Sequence, residues 1–311
     1  MTNMIDNDTK ILATGCGGML GEAVYEVFSK VCHVRATDID VNAPWLSYLD
    51  VRDHESLKHE AEDFKPDYIF HLASLTDLEY CEKNKEETYR TIVSGTENIV
   101  TICKRYKITM VHISTAGIFD GQQDSYNDYD IPNPLNCYGK AKYAGEMIVN
   151  SYLSKYFVFR PGWMMGSGPQ KDKKFVKKII DQINSGKREL FVVRDKLGTP
   201  TYTFDFARNM LEVINREFYG LFNMVCTGEG SRYDVAEEIL QCLNLKNSIK
   251  LNEVNSDFFE TEYFAQRPYS EKLINLKLNL RGLNRMRHWK ICLKEYLSKY
   301  DWLKDRNVGV R

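Results

Sequence analysis

A tyrosine and a lysine stand four positions apart in the segment NCYGKAK, residues 136–142. If this segment is helical, Tyr138 and Lys142 lie on one face, because positions i and i+4 of a helix are neighbours. Free tyrosine has a pKa of about 10, and a nearby ammonium group favours the phenolate. The pair could therefore exchange a proton with a substrate oxygen near neutral pH. The chain has 19 tyrosines, so chance spacing is the alternative interpretation.

A threonine at the end of a buried-looking strand supplies a third candidate group. The segment HISTAGIFDG places Ser114 and Thr115 directly after an apolar run. Open α/β sheets bind ligands outside the carboxyl ends of their strands. We therefore expect Thr115 to meet Tyr138 and Lys142 at that edge and to hold the substrate oxygen in place.

A glycine-rich loop follows the first apolar run. The segment ATGCGGMLG spaces Gly15, Gly18 and Gly21 three residues apart, between a predicted strand and a predicted helix. Glycines in this setting permit a tight turn, close approach of a pyrophosphate and close packing of helix on strand. The amides at the helix start then face the anion. The loop predicts a dinucleotide site, and a simple packing turn is the alternative.

An acidic residue ends the second predicted strand. Asp38, in RATDID, follows the glycine loop by roughly the 20 residues expected of a carboxylate that binds the adenosine ribose. Such a carboxylate repels a 2′-phosphate, so Asp38 favours NAD over NADP. Arg35 could offset that repulsion, and Asp40 could be the acid instead.

Continuous apolar runs alternate with amphipathic segments through the first half of the chain. Runs such as KILAT, YIFHLA and MVHIS are typical of strands buried on both faces of a parallel sheet. The pattern predicts a doubly wound α/β fold of the Rossmann type with a smaller mixed α/β substrate domain. We expect Ser231 to cap a helix in the second part. The predicted dinucleotide-binding domain spans 1–163, joined again by about 198–228, and the substrate domain spans 164–311, mainly 164–197 and 229–311.

The overall composition excludes several classes of protein. The net charge is −1, with 42 Lys plus Arg against 43 Asp plus Glu, which does not favour nucleic acid or membrane partners. Eight scattered cysteines and the lack of a signal peptide predict reduced thiols, a cytoplasmic location and no metal site. No apolar run approaches the roughly 20 residues of a membrane span. A homodimer is the default expectation, since two-fold dimers are the commonest oligomers.

Together these segments resemble the extended short-chain dehydrogenase/reductase family over nearly the whole chain. The shared motifs are TGCGGMLG, HLASLTDLEYCE, STAGIFDG and YGKAK. The segments LGTPTYTFDFA and RPYSEKLINLKL are similar to the dTDP-4-dehydrorhamnose reductases and related nucleotide-sugar reductases in particular.

The resemblance implies roles for individual residues. Thr115, Tyr138 and Lys142 would be the catalytic triad, with Lys142 also touching the nicotinamide ribose. The substrate would contact Thr76, Thr115, Trp163 and Arg267, the last through the nucleotide or its phosphates. The implied contacts of NAD or NADP are Gly15, Gly18, Met19, Leu20, Gly21, Asp38, Ile39, Asp50, Val51, Leu72, Ala73, Ser74, Tyr138 and Lys142.

Three departures from the family pattern bear on the substrate. Where the reductase group usually reads S-T-D-Y-V-F, this chain has Ala116 and Gly117, which removes a carboxylate and an aromatic ring. Ile92 stands at a position often held by asparagine. The loop GSGPQKDKKF is rich in lysines, which either solvate the surface or screen a substrate diphosphate.

The expected activity is reduction of a keto group on a nucleotide-activated sugar of the 4-keto-6-deoxy type, with a proton from Tyr138. An NAD-dependent nucleotide-sugar epimerase is one alternative. A dehydratase is disfavoured, because TAG lacks the acid and base that related enzymes carry after the threonine. A regulatory subunit resembling the β subunit of methionine adenosyltransferase is the alternative from another class, since that group shares the fold and a GTPTY segment.

Overall fold

The computed structural model describes residues 4–303 of the 311-residue chain. Its first half alternates strands and helices. The strands are β1 (Lys10–Thr14), β2 (His33–Asp38), β3 (Leu46–Tyr48), β4 (Tyr68–His71), β5 (Thr109–Ile113) and β6 (Tyr156–Arg160). The helices are α1 (Met19–Phe28), α2 (His54–Phe64), α3 (Leu78–Lys83), α4 (Lys85–Tyr89), α5 (Gly95–Tyr106) and α6 (Cys137–Tyr152). A π-helical turn, Arg90–Ser94, precedes α5, and a 3₁₀ turn, Ala116–Ile118, follows β5.

The second half mixes short strands with helices. The strands are β7 (Trp163–Met165), β8 (Glu189–Val193), β9 (Leu197–Gly198), β10 (Pro200–Tyr202), β11 (Gly220–Asn223), β12 (Gly230–Ser231), β13 (Lys250–Val254) and β14 (Ser270–Glu271). The helices are α7 (Gly168–Lys171), α8 (Phe175–Asn184), α9 (Thr203–Ile214), α10 (Arg232–Cys242), α11 (Leu276–Leu280) and α12 (Trp289–Ser298), with a 3₁₀ turn at Ser256–Phe259.

A seven-stranded sheet in the order β3-β2-β1-β4-β5-β6-β11 forms the centre of the fold. Every neighbouring pair in it is parallel. All residues of β4 and β5 are buried, which explains their continuous apolar runs. The predicted doubly wound fold is confirmed. The strand order reverses between β1 and β4, which opens a crevice at the carboxyl ends of these strands.

Three small sheets accompany the central sheet. Strands β7 and β10 form a parallel pair, as do β8 and β13, while β12, β9 and β14 form a three-stranded sheet. One hydrophobic cluster joins both halves of the chain and includes Phe28, Phe70, Phe206 and Trp289. Burying a side chain of this size stabilises the fold by about 1.5–3 kcal/mol. The second half is therefore anchored to the sheet that carries the crevice.

Local capping fixes where the second-half helix α10 begins. Ser231 and Asp234 form a reciprocal capping box at its start, as the sequence predicts for Ser231.

Within residues 4–303, no helix is both long and apolar enough to cross a membrane. The same residues contain no group of three or more His, Cys, Asp or Glu side chains placed to hold a metal ion.

Candidate active site

The glycine loop between β1 and α1 packs tightly at two glycines and is open at the third. Gly15 has a φ of +75°, and a Cβ there would lie 2.3 Å from the backbone nitrogen of Ala73. A Cβ at Gly21 would lie 2.2 Å from the Cα of Cys16. At Gly18 the nearest atom to such a Cβ is the Gly15 oxygen at 3.5 Å. Gly15 and Gly21 therefore serve packing, whereas Gly18 leaves room for a ligand.

The start of α1 has the donors that an anion requires. Gly18 caps the helix without a side-chain hydrogen bond, and the first-turn amides, including those of Met19 and Leu20, have no partner within a helix. Leu72, Ala73 and Ser74 follow β4 on the other side of the crevice. The open glycine and the free amides fit the pyrophosphate of a dinucleotide.

Asp38 lies against the glycine loop at the end of β2. Its carboxylate accepts a hydrogen bond from the Gly17 amide at 2.8 Å and another from the Asp40 amide at 2.8 Å. Ile39 beside it is 57% exposed. Asp40 instead accepts from the side chain of Asn42 at 3.1 Å. Asp38, rather than Asp40, therefore lies where a carboxylate could meet a ribose bound over the glycine loop.

Arg35 does not offset the charge of Asp38. Its guanidinium donates to Glu60 at 2.9 Å and to Asp63 at 2.7 Å, both on α2. It also lies 4.4 Å from the ring centroid of Phe64. The interpretation that Arg35 could accommodate a 2′-phosphate is wrong for this arrangement, because two carboxylates already hold its guanidinium.

Asp50 and Val51 follow β3, next to α5. The Asp50 carboxylate accepts from the Arg52 guanidinium at 2.7 Å, and this bond lowers the pKa of Asp50. Val51 is buried, and its carbonyl accepts from the Asn98 amide at 3.0 Å. Both residues are therefore fixed beyond Asp38 at the same edge of the sheet.

Thr115 and Tyr138 meet beyond the end of β5. Thr115 accepts a hydrogen bond from the Gly117 amide at 3.1 Å, and its side chain lies close enough to the Tyr138 hydroxyl to lower the pKa of Tyr138. Asn136 caps α6 by accepting from the Gly139 amide at 2.8 Å, which places Tyr138 in the first helical turn. The structure thus brings together two of the three predicted catalytic side chains.

Lys142 lies one turn further along α6 and is 3% exposed. Its ammonium group donates to the carbonyl of Ile113, the last residue of β5, at 2.5 Å. Burial lowers the pKa of Lys142 to about 8, although the charge of Glu146 raises it in part. The ammonium group is therefore held beneath the edge that carries Thr115.

The predicted effect of Lys142 on Tyr138 is wrong in this arrangement. Burial raises the pKa of Tyr138 above its ordinary value, and the neighbouring Thr115 side chain lowers it only in part. The Lys142 ammonium group donates to the Ile113 carbonyl, and the pKa of Tyr138 stays raised despite this neighbouring charge. Tyr138 is therefore a phenol that keeps its proton at neutral pH.

A buried polar network lies behind Lys142, where Ile92 replaces the expected asparagine. The Ile92 carbonyl, within the π turn, accepts from the Thr96 hydroxyl at 2.6 Å. That hydroxyl also bonds His71 Nε2 at 3.2 Å, and His71 Nδ1 bonds Thr14 at 3.1 Å. Burial, followed by the charge of Lys142, lowers the pKa of His71 to about 3. His71 is therefore a neutral core residue.

Trp163 belongs to a group of three side chains from the second half of the chain that approaches Thr115 and Tyr138. Its indole Nε1 donates to Glu271 at 2.7 Å. The Arg232 guanidinium lies 3.6 Å from the Trp163 ring centroid. Burial lowers the pKa of Arg232 to about 10, and the charge of Glu271 partly opposes this. We refer to Trp163, Arg232 and Glu271 as the Trp163 cluster.

Arg267, the predicted phosphate ligand, is already paired. Its guanidinium donates to both carboxylate oxygens of Glu79, at 2.7 and 2.9 Å. Arg232, by contrast, has no hydrogen bond or ion pair with any residue in the part of the chain that the structure describes. Arg232 could not be predicted from the sequence, because an arginine at the start of a capped helix carries no local signal of the group that it faces.

Thr76 is joined to the lysine-rich loop. Lys174 donates to the Thr76 carbonyl at 2.9 Å and to its hydroxyl at 3.0 Å. Burial lowers the pKa of Lys174, whereas Lys173 is exposed and Lys177 pairs with Asp181 at 2.5 Å. Of these loop lysines, Lys174 therefore contacts a predicted substrate residue.

Comparison with known proteins identifies relatives of the whole chain. A family model described as the RmlD substrate binding domain matches residues 9–302. The spore coat polysaccharide biosynthesis protein SpsK of Bacillus subtilis is 28% identical over 295 residues, covering 94% of this chain and 98% of SpsK. Methionine adenosyltransferase 2 subunit beta of Xenopus laevis is 25% identical over 294 residues, covering 93% of this chain and 87% of that protein.

Two solved structures are similar along almost the entire fold. A dTDP-4-dehydrorhamnose reductase from Clostridium acetobutylicum superposes with a TM-score of 0.86 at 32% identity and covers 94% of this chain and 99% of its own. A dTDP-4-dehydrorhamnose reductase from Bacillus anthracis, in complex with NADP, gives a TM-score of 0.86 at 26% identity, covering 94% of this chain and 100% of that one.

Proposed function

The chain belongs to the RmlD substrate binding domain family, and we propose on that basis that it is an NAD(P)-dependent oxidoreductase that reduces a keto group on a nucleotide-activated sugar. The proposed substrate is a 4-keto-6-deoxy sugar. The observation that carries the proposal is the placement of Thr115 and Tyr138 beside each other, after β5 and in the first turn of α6, at the crevice of the glycine loop. A proton donor next to a dinucleotide site is the arrangement that carbonyl reduction requires.

The protein side of the reaction follows from the state of Tyr138. When bound, the nicotinamide supplies the hydride. Tyr138 has a raised pKa, so it holds the proton that the substrate oxygen must receive. Thr115 orients that oxygen and stabilises the phenolate once the proton has left. Lys142 remains mostly charged at pH 7, with a pKa of about 8, and would hold the nicotinamide ribose.

The cofactor would bind across the carboxyl ends of β1, β2 and β4. The amides after Gly18 would take the pyrophosphate, and Asp38 would take the adenosine ribose hydroxyls. Asp38 without a free arginine beside it supports a preference for NAD. The relative from Bacillus anthracis binds NADP, so both cofactors belong in the test.

The nucleotide sugar would lie between the Trp163 cluster and the loop after β4. Arg232 replaces Arg267 as the proposed ligand of the substrate phosphates, because Glu79 already neutralises Arg267. An arginine that faces an anion can make two parallel hydrogen bonds to it. Lys174, bound to Thr76, adds a second positive charge on the other side. We also propose the domain boundaries predicted from the sequence. The dinucleotide-binding domain is 1–163 with about 198–228, and the substrate domain is mainly 164–197 and 229–311.

The direct test follows the absorbance of reduced nicotinamide. Purified protein is mixed with NADH or NADPH and with dTDP-, UDP- or GDP-linked 4-keto-6-deoxy sugars. A fall that depends on the sugar is the expected result and identifies the cofactor and the nucleotide together. No fall with any sugar, under conditions where cofactor binding is saturated, would contradict the proposal.

A non-catalytic role is the second candidate, favoured by the relatives named as methionine adenosyltransferase 2 subunit beta. A regulatory subunit would bind the dinucleotide, co-purify with a partner enzyme and reduce no ketone. An epimerase would retain its cofactor through purification and convert a nucleotide sugar without net oxidation. Product analysis distinguishes the reductase from the epimerase, and co-purification with a partner enzyme without turnover identifies the regulatory subunit. A cytoplasmic location and a homodimer stay predictions.

A further inference from the structure

We propose that Glu271 determines substrate specificity by accepting a hydrogen bond from a sugar hydroxyl next to the reacting carbonyl. This inference rests on the proposed function and assigns a new residue to it. Glu271 lies far in sequence from Thr115 and Tyr138, and it reaches them from β14.

The position of Glu271 is fixed by its strand. Strand β14 pairs with β9, and Glu271 is opposite Gly198 in that pairing. A Cβ at Gly198 would lie 2.3 Å from the Trp163 ring, so the indole lies flat over this strand. The Trp163 Nε1 donates to Glu271 Oε2 at 2.7 Å. One carboxylate oxygen is therefore held by a rigid donor, and this sets the direction of the other.

The second oxygen faces the proton-donating pair. Glu271 Oε1 and Thr115 Oγ1 lie 3.4 and 3.5 Å from the point where a Cβ of residue 117 would stand. Within residues 4–303, Oε1 has no hydrogen-bond partner. The charge of Glu271 also adds to burial in raising the pKa of Tyr138. Glu271 thus places an unused acceptor beside Thr115 and Tyr138.

This acceptor occupies space that the family pattern fills differently. Ala116 and Gly117 remove the carboxylate and the aromatic side chain that the reductase group usually carries after the threonine. With glycine at 117, the carboxylate of Glu271 reaches the same area from β14. The chain therefore keeps a negative charge at this edge but presents it from another direction.

The chemistry of a carboxylate selects the group that it binds. An ionised glutamate only accepts hydrogen bonds, so it cannot bind the keto oxygen. Tyr138 and Thr115 supply the donors for that oxygen. A hydroxyl on the adjacent ring carbon can donate a hydrogen bond. This hydroxyl would reach Glu271 Oε1 when the keto oxygen is bound by Tyr138 and Thr115. A sugar that lacks this hydroxyl would leave Oε1 without its partner, which costs free energy in a dry site.

The test compares two substrates and three proteins. The substrates are a nucleotide-linked 4-keto-6-deoxy sugar and its counterpart lacking the hydroxyl at the neighbouring carbon 3. The proteins are wild type, Glu271→Gln and the exposed-surface control Glu189→Gln. Glutamine keeps the shape, but Trp163 requires an acceptor, so the amide nitrogen would turn toward the sugar and donate to the hydroxyl. This bond is neutral and therefore weaker than the bond to the charged carboxylate. Urea unfolding of each variant checks that folding is unchanged.

Wild type and Glu189→Gln are expected to prefer the hydroxylated sugar by roughly 10- to 100-fold in kcat/KM, as for a hydrogen bond to a charged group. Glu271→Gln should reduce this preference by roughly three- to tenfold, because a hydrogen bond to a charged group is about twice as strong as a neutral one, while the deoxy sugar reacts about as before. Calorimetric dissociation constants for both sugars should show the same loss. Because binding needs no turnover, a failed reductase proposal remains distinct from a failed role for Glu271.

Two results would overturn the role of Glu271. One is a preference, in binding and in turnover, that is the same in wild type and Glu271→Gln. The other is solvent deuterium entering the sugar at the carbon next to the carbonyl with wild type but not with Glu271→Gln. That outcome would assign proton abstraction to Glu271, as an epimerase requires, instead of hydroxyl recognition.

Discussion

The buried ammonium group of Lys142 should make the stability of this protein depend on pH above neutrality. Burial lowers the pKa of Lys142 from 10.5 to about 8 in the folded chain. Below pH 8 both folded and unfolded chains hold the proton, so the folded state carries the full cost of burying the charge. Between pH 8 and 10.5 the unfolded chain binds a proton that the folded chain does not, so stability rises with pH.

The size of the effect follows from the two pKa values. A pKa difference of about 2.5 between the unfolded and folded chains corresponds to about 3 kcal/mol in the free energy of unfolding. About 2.5 kcal/mol of this change falls between pH 7 and pH 10. Lys142 is 3% exposed, so solvent screening takes little from this figure.

Urea unfolding at pH 7 and pH 10 measures the effect in wild type, Lys142→Met and Lys140→Met. Lys140 is exposed on the same helix and serves as the matched control. The stability of wild type relative to Lys142→Met should rise by about 2.5 kcal/mol from pH 7 to pH 10. Groups that titrate in both proteins cancel when the two stabilities are subtracted. The bond to Ile113 that the mutant lacks is part of the relative stability at both pH values, so it does not set the change between them. A relative stability that changes by less than about 0.5 kcal/mol would refute the reasoning.

Three further substitutions test the cofactor and substrate sites. Gly15→Ala should abolish dinucleotide binding measured by fluorescence, because its Cβ would lie 2.3 Å from a backbone nitrogen after β4. Gly186→Ala shares a positive φ but meets nothing within 4 Å, so it should bind normally. Arg232→Met should raise the KM for the nucleotide sugar about tenfold with little change in kcat, whereas Arg216→Met should change neither. Asp38→Asn should lower the ratio of NADH to NADPH efficiency about tenfold, and an unchanged ratio would remove Asp38 from cofactor selection.

Features that depend on local pattern could be predicted from the sequence. The buried runs of β4 and β5, the glycine loop and the Ser231 cap each follow from a few neighbouring residues. Strand β11 pairs with β6 and lies within the segment, about 198–228, that is predicted to rejoin the dinucleotide-binding domain.

Features that depend on distant partners could not be predicted. Arg35 and Arg267 both looked free for a ligand, but carboxylates on α2 and α3 neutralise them. The pKa of Tyr138 was expected to fall, but burial raises it, and burial of a phenol is decided by tertiary packing. Arg232 and Glu271 reach the site through Trp163, from segments whose local sequence carries no chemical signature.

The role of Tyr138 is the central claim, and its substitution by phenylalanine tests it most directly. Tyr152→Phe, on the exposed end of the same helix, is the matched control. Turnover of the nucleotide-linked keto sugar should fall by roughly 10²- to 10⁴-fold in Tyr138→Phe, with the dissociation constant of the cofactor unchanged. The control should behave as wild type. Turnover by Tyr138→Phe within about twofold of wild type would contradict proton donation by this residue.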